Sequence, residues 1–144
     1  MTRVDFYLLP THDAASRLHF VCKLAGKAVS EGIKLHIWTE TESESATLDR
    51  LLWTYKDISF VPHASVDASK ADCPVTLDSY HQPARDGKIL INLSQDIPDS
   101  IGELERIIEI VDEDTERKTR GRKHYRLYRQ YGCNLKHHQL GTQQ

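Results

Sequence analysis

A chain of 144 residues, 39% hydrophobic and 28% charged, has the length of one domain, enough apolar material for a core, and too ordered a composition for dominant disorder. No apolar run approaches the roughly 18 residues of a membrane-spanning helix, and the start Met1-Thr-Arg-Val-Asp has no apolar leader, so a soluble, cytoplasmic protein is expected. The formal net charge of −2 hides an asymmetry. Residues 117 to 144 carry eight basic side chains (Arg117, Lys118, Arg120, Arg122, Lys123, Arg126, Arg129, Lys136) and no acid, which leaves 11 basic and 21 acidic residues for the rest. This split predicts a basic patch for an anionic partner on an acidic body, or simply a solvated basic helix.

The pattern alternates strands and helices. Val4 to Leu9 is a short apolar run closed by Pro10, the signature of a buried strand. Ala14, Leu18, Val21, Cys22, Leu24, Ala25, Ala28 and Val29 then recur at three- and four-residue steps after Thr11-His12-Asp13, predicting a helix that Gly32 ends. Ile33 to Thr39 reads as the next strand, so the first unit is strand, helix, parallel strand. Ala46, Leu48, Leu51, Leu52 and Tyr55 predict a second helix capped within Thr41 to Ser45 and ending near Lys56-Asp57. Ser59 to His63 reads as a short extended piece, interrupted by Pro62. Val75 to Leu77 and Ile89 to Leu93 read as strands, with Asp78 to Lys88 an exposed loop between them. Ile107 to Val111 is another strand, followed by Asp112-Glu113-Asp114, acids that favour the start of a last, basic helix at about 113–131. Residues 133–144 read as a tail. The fold class expected is a single α/β domain spanning 1–144, with a mostly parallel central sheet flanked by helices: a Rossmann-like topology without a nucleotide site.

Enzyme motifs are missing. The first strand-to-helix turn, Leu9-Pro10-Thr11-His12-Asp13, has no phosphate-binding glycines, and Gly26-Lys27 is followed by Ala28, without the loop or hydroxyl of a P-loop. There is no GxSxG elbow and no HExxH pair. Cys22, Cys73 and Cys133 form no CxxC pair, which argues against a disulfide framework or structural zinc. Cys133, His137 and His138 fall short of a metal set, so His137 and His138 are expected in solvent and no cofactor is expected. Cys22, at an apolar helix position, is expected to be a buried small hydrophobe.

What remains is suited to binding. Lys118, Arg122, Tyr125 and Arg129 follow steps of four, three and four and so share one helical stripe. Three cations around an aromatic ring suit a peptide that combines carboxylates with an apolar or aromatic end. Single-stranded nucleic acid is the competing ligand, but stacking platforms need several exposed rings, and Tyr128 and Tyr131 are as well suited to the core. A second cluster sets Trp53, Phe60 and Pro62 at a helix end. Its rings either cover the core or anchor a partner.

Phe6-Tyr7-Leu8-Leu9, Leu52-Trp53 followed by Ser59-Phe60-Val61-Pro62-His63, Ile91-Asn92-Leu93-Ser94, and Arg122-Lys123-His124-Tyr125-Arg126-Leu127-Tyr128-Arg129 with Gly132 resemble, in order and over nearly the whole chain, the chi subunit of bacterial DNA polymerase III holoenzyme. The resemblance implies a small α/β fold and a non-catalytic accessory subunit of the clamp-loader complex. It implies two partners on separate surfaces: the psi subunit, and the acidic C-terminal tail of single-stranded DNA-binding protein. Carried over by motif, Lys118, Arg122 and Tyr125 would hold the tail, with Arg129 on the same stripe. Trp53, Phe60 and Pro62 would lie on the psi side, where a helicase competes in some members. No membrane partner is implied, and direct DNA binding would be weak. Cys133 departs from the aromatic residue that the family usually has after the glycine, and the resemblance assigns no role to residues 136–144.

Overall fold

The computed structural model describes residues 2–54, 63–65, 75–79, 89–99 and 101–140. They build one seven-stranded sheet: β1 (Arg3–Leu8), β2 (Leu35–Trp38), β3 (His63–Ser65), β4 (Val75–Asp78), β5 (Ile89–Asn92), β6 (Arg106–Val111) and β7 (Asn134–Gln139). Their spatial order is β3-β4-β2-β5-β6-β1-β7. Every pairing is parallel, so the expected α/β class holds and the sheet is parallel throughout. Parallel neighbours need crossovers. The helices α1 (Ala14–Ser30), α2 (Glu42–Thr54) and α3 (Thr115–Gln130) supply three of them.

Local chemistry sets the helix ends. The Asp13 carboxylate accepts the Ser16 N–H at 2.9 Å and starts α1. Thr41 Oγ1 accepts the Glu44 N–H at the start of α2, and Asp114 accepts the Arg117 N–H at the start of α3. These side chains satisfy backbone donors that have no partner within the helix. α1 ends at Gly32, as expected. α3 ends at Gly132, whose φ of 79° turns the chain while the Cys133 N–H returns to the Tyr128 carbonyl at 3.2 Å. Glycine adopts that backbone conformation without a steric penalty, and the turn delivers the chain directly into β7.

The sheet carries apolar side chains on both faces, as parallel sheets do. On one face Leu18, Val21, Cys22 and Ala25 of α1 and Leu48 and Leu52 of α2 pack on Leu35, Ile37, Leu77, Ile91, Ile108 and Ile110. Burial pushes the Cys22 thiol up to about 11, which keeps it protonated and matches its reading as a small hydrophobe. On the other face Val4, Phe6, Leu90, Ile107, Val111 and Tyr128 form the core beneath α3.

One sequence expectation is overturned. The segment read as a tail contains β7, which pairs with β1 along its length, Phe6 opposite His137 and Tyr7 opposite His138. Neither histidine is a free tail residue. His137 stacks on Phe6 with ring centroids 5.7 Å apart, and His138 stacks on Tyr7 at 4.7 Å. His138 Nε2 also lies 2.8 Å from the buried Asp5 carboxylate, which Arg106 Nε approaches at 2.6 Å. These contacts fasten the edge strand to β1 and β6. The extended piece expected at 59–63 overlaps β3 only at His63, and positions 59–62 lie outside the described residues.

Candidate functional site

In open α/β sheets, ligands gather beyond the carboxyl ends of the strands. Here that crevice is filled by the chain's own ion pairs. Arg17 meets Glu44 at 3.0 Å, Arg117 meets Asp112 at 2.8 Å and Arg120 meets Glu40 at 3.1 Å. The cavity left among Arg17, Arg117, Arg120 and Ser94 is about 10 Å³, room for about one water molecule. Among the described residues, no group of three or more His, Cys, Asp or Glu side chains is placed to hold a metal ion.

The larger concavity lies elsewhere. A groove of about 360 Å³ runs between α3 and the β1–β7 edge, lined by Phe6, Leu8, Val111, Lys118, Gly121, Arg122, Tyr125, Arg126 and His137. Its floor is apolar and aromatic. Phe6 meets Tyr125 edge-on at 5.6 Å and His137 stacked at 5.7 Å, and Tyr125 lies 5.2 Å from His137. Its rim is cationic, from Lys118, Arg122 and Arg126. The depth depends on Gly121, because a Cβ there would stand 2.6 Å from Val111 Cγ2. Only a glycine lets the α3 backbone come this close to β6.

Three of the four stripe residues singled out by helical spacing, Lys118, Arg122 and Tyr125, converge on this groove. Arg129 does not line it. Arg126 takes part instead, although the spacing argument passed over it. Phe6 and His137 come from strands at opposite ends of the chain, so no local pattern announces them. The eight C-terminal cations also divide. Arg117, Lys118 and Arg120 are paired within the protein. Arg122, Lys123, Arg126, Arg129 and Lys136 form no ion pair among the described residues. Tyr128 is fully buried, and Tyr131 is 67% exposed, so the two rings are neither both core nor both platform. Of the second cluster, Phe60 and Pro62 lie outside the described residues, and Trp53 belongs to α2.

A buried polar cluster holds α3 in place beneath the groove. Tyr128 Oη donates to Glu109 Oε2 at 2.6 Å, Asn92 Nδ2 donates to the same oxygen at 2.9 Å, and His124 Nδ1 lies 3.1 Å from Glu109 Oε1. Burial and the Glu109 carboxylate push the Tyr128 hydroxyl well above its ordinary range. It therefore remains a donor.

Fold and groove together define a small parallel α/β protein with a cationic, aromatic-floored cleft on its last helix and a strand-end crevice closed by ion pairs. Residues 1–136 match the family model described as DNA polymerase III chi subunit, HolC. The DNA polymerase III subunit chi of Pseudomonas aeruginosa is 34% identical over 140 residues, covering 97% of this chain and 98% of that relative. The subunit of the same name from Haemophilus influenzae is 32% identical over 141 residues, covering 95% and 96%. That from Escherichia coli is 29% identical over 142 residues, covering 94% and 96%. The chain belongs to the DNA polymerase III chi subunit family. Among the described residues no helix is long and apolar enough to cross a membrane.

Proposed function

We propose that this protein is a non-catalytic accessory subunit of the clamp-loader complex, acting in the cytoplasm as one domain. In this reading it links the polymerase to coated template by binding two partners on separate surfaces. The groove between α3 and the β1–β7 edge receives the acidic C-terminal tail of single-stranded DNA-binding protein. Arg122 and Arg126 pair its carboxylates, Lys118 adds a third cation, and its apolar end packs on Tyr125 and Phe6. The psi subunit binds through Trp53, Phe60 and Pro62, the side on which a helicase would compete.

The observation that carries the tail reading is the groove itself. Arg122 and Arg126, which form no ion pair among the described residues, stand with Lys118 around an apolar floor, a combination that rewards a ligand with both carboxylates and an apolar end. Nucleic acid laid directly on α3 is the second reading, favoured by the five cations without an ion pair among the described residues.

Fluorescence anisotropy separates the two. A labelled peptide copied from the tail is titrated with wild type and with Arg122→Ala at two salt concentrations. Saturable binding, lost by more than tenfold in the variant, supports the tail receptor. Displacement of the peptide by single-stranded DNA at physiological salt would shift the assignment to nucleic acid. Phe60→Ala weakens psi capture and spares the peptide if the surfaces are separate.

A further inference from the structure

We propose that the small cavity at the carboxyl ends of the strands is a binding site for one monatomic anion, a halide, which bridges α1, α3 and the loop after β5. Three arginines line this cavity, Arg17 from α1 and Arg117 and Arg120 from α3, with a single acid, Glu109. The carboxylates that pair the arginines, those of Glu44, Asp112 and Glu40, do not line it. Glu109 is itself taken up by Tyr128, Asn92 and His124. The charge around the cavity is therefore positive, and an anion placed there meets no unpaired acid.

The hydrogen bonds select the kind of anion. Arg17 uses Nη1 on Glu44 and Nη2 on the Leu93 carbonyl at 3.4 Å. Its side chain is only 4% exposed, yet Nε has no hydrogen-bond partner among the described residues. Buried donors are rarely left so, because each has given up a hydrogen bond to water. Ser94 is buried as well, and its Oγ accepts the Asp96 N–H at 3.1 Å, which leaves its hydroxyl hydrogen to turn toward the cavity. The acceptors nearby are already engaged. The Leu93 carbonyl receives both Arg17 and Arg120, and Asn92 Oδ1 receives the Ser94 N–H. A water molecule would find donors for its oxygen but few acceptors for its own hydrogens, whereas a halide only accepts. Size points the same way. About 10 Å³ holds one particle near the size of water and excludes a phosphate or any other tetrahedral oxyanion.

Two measurements on the full chain test the site. Crystals soaked in sodium bromide are expected to show an anomalous bromide peak within hydrogen-bond distance of Arg17 Nε. In solution, sodium bromide replaces sodium gluconate at constant ionic strength, so screening of exposed charges is unchanged and the competing anion is too large for the cavity. The wild-type melting temperature is expected to rise and saturate, gaining about 2–4 °C between about one and ten times the bromide concentration that half-fills the site. Ser94→Ala removes one donor, and Arg17→Lys keeps the charge toward Glu44 without the Nε–H. Both are expected to lose the saturating rise. Each variant is compared with itself across the exchange, so a lower starting stability does not alter the result. Equal responses in wild type and Ser94→Ala, or soaked crystals with no anomalous peak in the cavity, would overturn the halide site and leave the tail-receptor reading untouched.

Discussion

His124 holds a hydrogen-bond acceptor at each of its ring nitrogens. Nδ1 lies 3.1 Å from Glu109 Oε1, and Nε2 lies 2.7 Å from the Gln95 carbonyl oxygen. Both nitrogens must donate to satisfy both acceptors, which describes an imidazolium rather than either neutral tautomer. Burial works against that charge, but the hydrogen bond and charge of Glu109 outweigh it and raise the pKa of His124 above the ordinary histidine value. The ion pair ties α3 to β6 and to the loop after β5, and so holds the helix that carries the groove.

The sign of its pH dependence follows from the raised pKa. Stability from this group is fully present below the unfolded value of about 6.5 and is lost as pH rises through the folded value. The melting temperature of wild type should therefore exceed that of His124→Gln most at about pH 6, with the gap narrowing in mildly alkaline buffer. A gap that stays constant across that range would mean the imidazole is neutral in the fold. Truncation to His124→Ala leaves Glu109 buried beside only neutral donors and should cost about 3–5 kcal/mol in denaturant unfolding.

Gly121 against Val111 makes a steric prediction. Alanine is a better helix former than glycine by about 1 kcal/mol, so propensity alone would have Gly121→Ala stabilise α3. With a Cβ forced to 2.6 Å from Val111 Cγ2, the helix must instead lift from β6. A net loss of about 1–3 kcal/mol is expected, together with weaker peptide binding as the groove changes shape. The Val111→Ala partner substitution should recover part of the loss. A Gly121→Ala protein as stable as wild type would show that the contact relaxes freely.

Lys118 enters the groove already engaged, its Nζ 3.0 Å from Glu113 Oε1. An incoming carboxylate must compete with that internal acid. Both side chains are about half exposed, and exposed pairs contribute only about 0.2–1 kcal/mol. Glu113→Gln should therefore strengthen acidic-peptide binding about 1.5-fold to fivefold at low salt, an advantage that calorimetry should see fade as salt is raised. Unchanged affinity at low salt would mean that Lys118 does not meet the peptide.

The alternation of strands and helices, the positions of α1 and α3 and the acidic start of α3 were legible because each depends on neighbours within a few residues. The stripe of Lys118, Arg122 and Tyr125 was legible for the same reason. β7 was not. Asn-Leu-Lys-His-His-Gln has no β-branched residue and no Phe, Tyr or Trp, and its backbone is ordered by hydrogen bonding to β1 rather than by its own preference. Gly132 was the available signal, since a left-handed turn directly after a helix leaves the chain ready to return to a sheet. Arg129 shares the stripe but does not line the groove, because helical angle places a side chain around the axis, whereas the end of the groove is set by strands the helix pattern cannot see.

The pairing of β1 with β7 also bears on when the protein becomes competent. Phe6 leaves a ribosome long before His137, yet they share a register position. Contacts this distant in sequence form late and slowly, because a long loop must be closed before they reward it. A nascent chain paused anywhere before β7 would present the basic helix without its opposite wall. Ligand capture would then report that β1 and β7, far apart along the chain, have met.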